Sequence, residues 1–224
     1  MSKKTFIYII LFFLIPVFII AGSIIFKDKQ SSWIILCVTI CAIIPFFLTF
    51  EKGKSSIKEM IIIAVMVSIG VLGRMIIPIP GFKPVTAIII ITAMYFGSEM
   101  GFITGALTAF ISNFWFGQGP WTPFQMFVWG LIGFVAGMIA KQLKSSKILL
   151  IIYGAFSGVV FSLFMDIWTV LWWDNSFNFA RYITAVISSS SFIFIYAISN
   201  IIFLLIFVEP IGSKLERIKN KYGF

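Results

Sequence analysis

Long apolar runs with few or no charges follow one another along the whole of this chain. A helix needs about 20 apolar residues to cross the ~30 Å hydrocarbon core of a bilayer. Too little polar sequence separates the runs to build a soluble domain, so we predict an all-α integral membrane protein with eight spans. The predicted spans are residues 5–26, 33–50, 57–77, 84–97, 101–116, 122–140, 148–172 and 182–208.

Composition and charge support this class and orient the chain. Hydrophobic residues make up 60% of the 224 residues, against about 45–50% in soluble proteins. The net charge of +9 does not indicate a nucleic-acid partner, because Lys and Arg lie mostly in the loops. With both termini cytoplasmic, 12 of the 17 Lys and Arg residues fall on the inner side and 5 on the outer side. The positive-inside rule therefore predicts a multi-pass plasma-membrane protein with both ends in the cytoplasm.

The fourth and fifth predicted spans are short, at about 14–16 residues, or roughly 21–24 Å of helix. Short segments with Gly and Pro at their ends often line a cavity, because irregular backbone at membrane depth must face protein or water. In the predicted topology the loops 78–84, 116–122 and 173–181 lie at the outer face. We therefore expect a ligand site at that face.

The first two spans differ from the other six. Residues 1–54 have no charge within a span, and the hydrophilic stretch Glu51–Lys54 separates them from the third span. We interpret residues 1–54 as a two-helix transmembrane extension with its linker, and residues 55–224 as a six-helix membrane core with a basic cytoplasmic tail. Cys37 and Cys41 lie four residues apart in one predicted helix and are interpreted as small buried hydrophobic residues.

Asp166 is the only acidic residue deep in a predicted span. A charge inside a membrane is costly, which makes such a residue a candidate for function. In one interpretation, Asp166 contacts a polar group of a ligand or pairs with Arg181 or Arg74. In the other it is a structural acid that bonds to a neighbouring helix.

Cations flank the predicted outer loops. Arg74 and Lys83 stand on either side of Pro78, Pro80 and Gly81, which disfavour a helix and predict a tight connector. Arg74, Lys83 and Arg181 are candidates for binding an anionic group. The alternative is that these side chains extend to the membrane interface without a ligand.

Aromatic and amide side chains gather in residues 113–134, around a Gly-Pro break. Trp rings offer flat faces, and side-chain amides offer donors and acceptors without charge. An aromatic belt at the membrane interface explains some of them, but Trp129 lies about two turns inside the span. The candidate ligand contacts from this region and from the seventh span are Asn113, Trp115, Gln118, Trp121, Thr122, Gln125, Trp129 and Trp172.

Small residues recur every four positions in several spans. Gly101, Gly105 and Ala109 form one such series, and Ala64 with Ser68 forms another. Small-xxx-small patterns let helices pack closely in lipid. A row of small residues of this kind can pack against a neighbouring helix of the same chain or against a partner subunit.

The sequence shows no set of catalytic residues. It contains no His, no cluster of metal ligands and no phosphate-binding Gly-rich loop. We therefore predict a protein that is not an enzyme and that holds no metal or cofactor. A small secondary transporter or channel with Asp166 as an ion site stays open as an alternative, and a membrane enzyme with Asp166 as base is a weaker one.

Several motifs of the core resemble the substrate-binding S components of energy-coupling factor (ECF) vitamin transporters, and most of all their cobalamin-type branch. The resemblance covers about residues 55–208 and is most specific in the segments 83-KPVTAIIIIT-92, 112-SN-113, 117-GQGPWTPFQM-126 and 129-WGLIG-133.

The resemblance implies a six-helix core that binds a vitamin at the outer face under a lid, here residues 77–84. It also implies docking on a membrane coupling subunit that two ATPases drive, so that ATP is hydrolysed by partner chains. Small residues of the first core helix face that partner in this family, and the matching positions here are Ala64 and Ser68.

A mouth rich in aromatic and amide groups indicates a large amide-bearing cofactor, and a corrinoid such as cobalamin is the first expectation. Riboflavin, a deazapurine or another heterocycle also fits these residue types.

Overall fold

The computed structural model describes residues 57–174 and 176–222, and every regular element within them is an α-helix. The first two predicted spans and the extension 1–54 lie outside the described residues. The described helices are α1 (Ile57–Ile76), α2 (Val85–Phe96), α3 (Ser98–Phe116), α4 (Trp121–Met138), α5 (Ala140–Ser145), α6 (Lys147–Asp174), α7 (Phe179–Ser188) and α8 (Ser190–Tyr222).

Helix α2 is the centre of the bundle. Every residue from Val85 to Met94 is buried, and α1, α3, α4, α6 and α8 all pack against the helix. A helix that is enclosed on all sides is expected to be apolar all round, and α2 carries four consecutive isoleucines. At 12 residues α2 is too short to span a bilayer, and its neighbours shield its ends.

Four of the described helices are long and apolar enough to cross a membrane, namely α1, α4, α6 and α8. This agrees with the predicted all-α integral membrane class. The loop of residues 77–84 joins α1 to α2, at the end of the bundle that sequence analysis predicts to lie at the outer face.

Two predicted spans differ from the structure by more than two residues at an end. The fifth begins at Ser98 and forms a helix of 19 residues, because Gly97, with φ of 93°, joins α2 to α3 without a longer loop. The predicted span 182–208 is wrong as one helix: it breaks at Ser189 into α7 and α8, and α8 continues to Tyr222. The basic tail is therefore largely helical, and its Leu215 is buried against the bundle.

Glycines bring α3 and α4 into close contact. A Cβ atom on Gly101 would lie 2.7 Å from the carbonyl oxygen of Gly133, and one on Gly105 would lie 2.8 Å from the backbone nitrogen of Gly130. Real Cβ atoms do not approach backbone atoms this closely. The small-residue pattern of α3 thus faces another helix of the same chain.

Replacing Gly105 by Ala is expected to lower the melting temperature of the purified protein. Overpacking a tight core costs about 1–3 kcal/mol, which exceeds the ~1 kcal/mol of helix propensity that Ala adds. Gly70→Ala is the matched control, because the atoms nearest to its Cβ would belong to the Thr108 side chain, at 3.1 Å, and not to backbone. Thermal unfolding in detergent compares the two, and an equal effect of both variants would contradict the assigned contact.

Candidate ligand-binding site

A cavity of about 320 Å³ lies beneath the loop 77–84, between α1, α2, α4, α6, α8 and the end of α3. This volume is at the lower end of the ~300–1,000 Å³ of small-ligand sites. Its lining combines aromatic rings, two cations and two side-chain amides. The lining residues are Arg74, Pro78, Pro80, Gly81, Lys83, Val85, Thr86, Phe116, Gln125, Trp129, Gly158, Phe161, Tyr196 and Asn200.

The loop 77–84 is fastened to α8. Ser199 Oγ donates to the carbonyl of Lys83 at 3.0 Å and accepts from the backbone amide of the same residue at 2.9 Å. The Phe82 ring packs on Phe203, with centroids 4.9 Å apart. Gly81 has φ of 75°, a conformation that glycine adopts without strain. The predicted connector is therefore a folded cover over the cavity.

Arg74 brings a charge to the cavity without an acidic partner. Its Nη1 donates to Asn113 Oδ1 at 2.8 Å and to Ser112 Oγ. The guanidinium carbon lies 4.5 Å from the ring centroid of Phe116 and 5.2 Å from that of Trp129. No ion pair involves Arg74 within residues 57–174 and 176–222. A guanidinium has five N–H donors, so donors beyond Nη1 remain for a ligand.

An amide network supports Arg74 from behind. Asn113 Nδ2 donates to Gln125 Oε1 at 2.9 Å and to Thr122 Oγ1 at 3.0 Å, and Thr122 Oγ1 donates to Gln118 Oε1 at 2.9 Å. These bonds fix the carbonyl end of Gln125 toward α3. Within the described part of the chain, Gln125 Nε2 has no hydrogen-bond partner, and it is available to a ligand in the cavity.

Aromatic rings from three helices form one wall of the cavity. Trp129 of α4 stacks on Phe161 of α6, with centroids 5.2 Å apart and planes 17° apart. Tyr196 of α8 meets Phe161 edge-on at 5.2 Å. Asn200 Nδ2 is held by the carbonyl of Gly154 at 3.0 Å, which leaves its Oδ1 as an acceptor.

Lys83 is the second cation of the lining. Its Nζ donates to the carbonyl of Ile77 and lies 5.7 Å from the ring centroid of Phe116. Partial burial, and then the neighbouring charge of Arg74, lower the pKa of Lys83 from its usual value. The two cations thus repel each other slightly, which favours a ligand with acceptor groups between them.

The structure brings only some of the predicted contacts to the cavity. Arg74, Lys83, Gln125 and Trp129 line it. Asn113, Thr122 and Gln118 belong to the network behind it, while Trp115 is 70% exposed and Trp121 is 39% exposed, and neither lines it.

A second group of predicted contacts lies outside the cavity lining, near α6 and α7. Asp166 Oδ2 accepts from Ser189 Oγ at 2.6 Å, where α7 ends. Trp172 stacks on Trp168 at 5.5 Å. Arg181 pairs with Asp174 at 3.1 Å. The roles of these three residues in ligand binding stay predictions.

Four aromatic or amide residues of the lining were not predicted. They are Phe116, Phe161, Tyr196 and Asn200. Asn200 carried a usable signal, because an amide inside an apolar run is as unusual as Asp166. Phe161 and Tyr196 carried none, since aromatic residues are common throughout the spans.

The predicted partner contacts lie elsewhere. Ala64 and Ser68 line an apolar groove of about 550 Å³ along α1 and α3. Residues of α3 that include Leu107 and Ile111 form its other side.

Comparison with known proteins gives one match. A family model described as ECF-type riboflavin transporter, S component, matches residues 54–217. No curated protein and no solved structure shows a significant similarity to the chain. The match covers the whole described bundle up to the last turn of α8. It supports the predicted S-component resemblance and does not support the cobalamin-type branch.

Proposed function

This chain belongs to the ECF-type riboflavin transporter S component family, and on that premise we propose that it binds riboflavin in the cavity beneath the loop 77–84. It is a membrane protein and a substrate-binding component of a transporter. In the proposed cycle it takes riboflavin from the outer face, with both of its own ends in the cytoplasm. It then delivers the vitamin through a membrane coupling subunit and two ATPases.

The observation that carries the proposal is the match between the cavity and a flat heteroaromatic ligand of moderate size. The wall of Trp129 and Phe161 offers aromatic contact area. Arg74 and Gln125 Nε2 offer donors, and Asn200 Oδ1 offers an acceptor. The isoalloxazine ring of riboflavin carries two carbonyls beside an N–H along one edge. Its recognition therefore requires hydrogen-bond donors for the carbonyls and an acceptor for the N–H.

Cobalamin, the ligand first expected, fits these observations less well. A corrin ring with its side-chain amides is several times larger than riboflavin, whereas the cavity holds about 320 Å³. Two of the three amides that suggested it, Asn113 and Gln118, form hydrogen bonds within the network behind Arg74 and do not line the cavity. The family match also names riboflavin.

The proposed face for the coupling subunit is the α1 surface that carries Ala64 and Ser68. Ser68 is exposed and donates only to the carbonyl of Ala64, at 2.8 Å. Small residues on an exposed transmembrane face allow another helix to approach closely. This assignment rests on the family and on the exposure of the ridge.

The proposal is tested by titrating riboflavin into the detergent-purified full chain and following the quenching of riboflavin emission. Flavin bound beside tryptophan is expected to lose emission and to saturate at equimolar ligand. Cobalamin and cobinamide, added before riboflavin, are expected not to compete. Saturable binding of a corrinoid, or the absence of saturable riboflavin binding to folded protein, would overturn the proposal.

A further inference from the structure

The C-terminal part of α8, residues 209–222, carries a row of cations on its outward side. The opposite side packs on the bundle, where Gly212 and Leu215 are buried. Three exposed cations of this segment form what we call the basic stripe, and they are Lys214, Arg217 and Lys221. At about 100° per residue, the three positions fall within roughly 60° of one another and away from the buried side. Because α8 is continuous, the bundle holds the stripe in a fixed orientation.

The side chains of the basic stripe have no ion pair and no hydrogen bond within the described part of the chain. Lys221 Nζ lies 5.4 Å from the ring centroid of Tyr222. Other cations at the same end of the bundle are engaged by the fold. Lys58 Nζ donates to the carbonyl of Tyr222 at 3.0 Å, and Lys219 Nζ donates to that of Tyr95 at 3.0 Å. The stripe therefore presents positive charge that an external anion can reach.

An ion pair shows where two membrane-crossing helices leave the hydrocarbon. Lys147 is the first residue of α6, Glu209 directly follows the apolar run of α8, and their side chains meet at 3.6 Å with most of their surface exposed. Counted from Glu209, Lys214 and Arg217 lie about 7 and 12 Å further along the helix. The headgroup layer is roughly 5–8 Å thick on each side of a bilayer, and long cationic side chains can extend back toward it. The stripe thus begins at the level of the lipid phosphates.

We propose that the basic stripe binds the phosphate groups of anionic phospholipids in the leaflet at this end of the bundle. A Lys or Arg close to an anionic membrane surface strengthens attachment by about fivefold. A zwitterionic lipid carries the same phosphate beside its own cation and gains less. An acidic surface of a partner protein is the alternative occupant, and the position of the stripe at headgroup level favours the lipid. The contact holds the end of α8 at the membrane surface, and it does not depend on which ligand the cavity binds.

Titration of phosphatidylglycerol into the delipidated, detergent-purified full chain tests this proposal, with native mass spectrometry counting the bound lipids. The wild type is expected to bind phosphatidylglycerol more tightly than phosphatidylcholine. The double variant Lys214→Gln/Arg217→Gln is expected to lose about 25-fold in affinity for phosphatidylglycerol, since each cation contributes about fivefold. Its affinity for phosphatidylcholine is expected to stay close to that of the wild type. Inorganic phosphate is expected not to displace the lipid.

The double variant Lys58→Gln/Lys147→Gln is the matched control. It removes the same charge from the same end of the bundle, but from side chains that already have partners in the fold. It is expected to keep most of the affinity for phosphatidylglycerol. Equal weakening by the two double variants, no preference for phosphatidylglycerol over phosphatidylcholine, or displacement of the lipid by inorganic phosphate would overturn the proposal. The melting temperature of each variant shows that it is folded, and that control needs no riboflavin.

Discussion

Replacing Arg74 by Met is expected to weaken riboflavin binding by about 10- to 100-fold, since a hydrogen bond to a charged group contributes about 1.5–3 kcal/mol and each 1.4 kcal/mol is tenfold in affinity. Arg74 is the one lining cation that is held in a fixed orientation by the Asn113 carbonyl and by two flanking rings. Its loss removes hydrogen-bond donors that we expect the ligand to use. It also removes the bond that orients Asn113 in the amide network behind the cavity. The measurement is the quenching titration of riboflavin emission with the purified variant.

Two further variants separate the charge of Arg74 from its shape. Arg74→Lys keeps the charge without the planar fork of donors, and it is expected to recover only part of the lost affinity. Arg217→Met removes the same charge from an exposed position near the C-terminal end of α8 and is expected to bind as the wild type does. Wild-type affinity in a folded Arg74→Met protein would show that the ligand does not use this cavity.

Replacing Trp129 by Ala is expected to weaken riboflavin binding at least as strongly and to destabilise the fold. Trp129 is 5% exposed and lies between Phe161 and Arg74. Truncating a buried Trp costs about 3–5 kcal/mol of stability, and contact between a base-like ring and an aromatic side chain contributes about 1–3 kcal/mol. Melting temperature and riboflavin affinity are measured on the same preparation.

The milder variant Trp129→Phe keeps a flat ring in the wall. It therefore separates a loss of ligand contact from a loss of folding. It is expected to stay folded and to lose less affinity than Trp129→Ala. Trp173→Ala is the matched control, because Trp173 is 77% exposed and lies outside the cavity lining. If Trp129→Phe and Trp173→Ala weaken binding equally, Trp129 is not part of the ligand site.

The loops of the bundle were more predictable than the rotation of its helices. Pro78, Pro80 and Gly81 predicted the connector that covers the cavity, because each restricts or frees the backbone in a known way. The sequence did not predict which faces of α6 and α8 turn toward the cavity. In a membrane, residues that face lipid and residues that face the core are both apolar, so the 3.6-residue periodicity of hydrophobic residues is weak. Phe161 and Tyr196 were missed for this reason.

The break at Ser189 was hidden by the sequence around it. Apolar residues continue on both sides of Ser188–Ser191, so the run has the length of a single span. In the structure Ser189 is the residue that caps the C-terminus of α7, and its hydroxyl donates to Asp166, the buried acid that sequence analysis singled out. The carboxylate thus has a partner in the described fold, as its structural interpretation expected. The ion site that the secondary-transporter alternative requires stays untested.

The measurement that tests the ligand assignment most directly is a structure of the full chain determined with riboflavin. We expect flat tricyclic density beneath the loop 77–84, within hydrogen-bond distance of Arg74 and Gln125 and against the wall that contains Trp129. Riboflavin density beside Asp166 and Trp172 instead, with the cavity under the loop unchanged, would contradict the account.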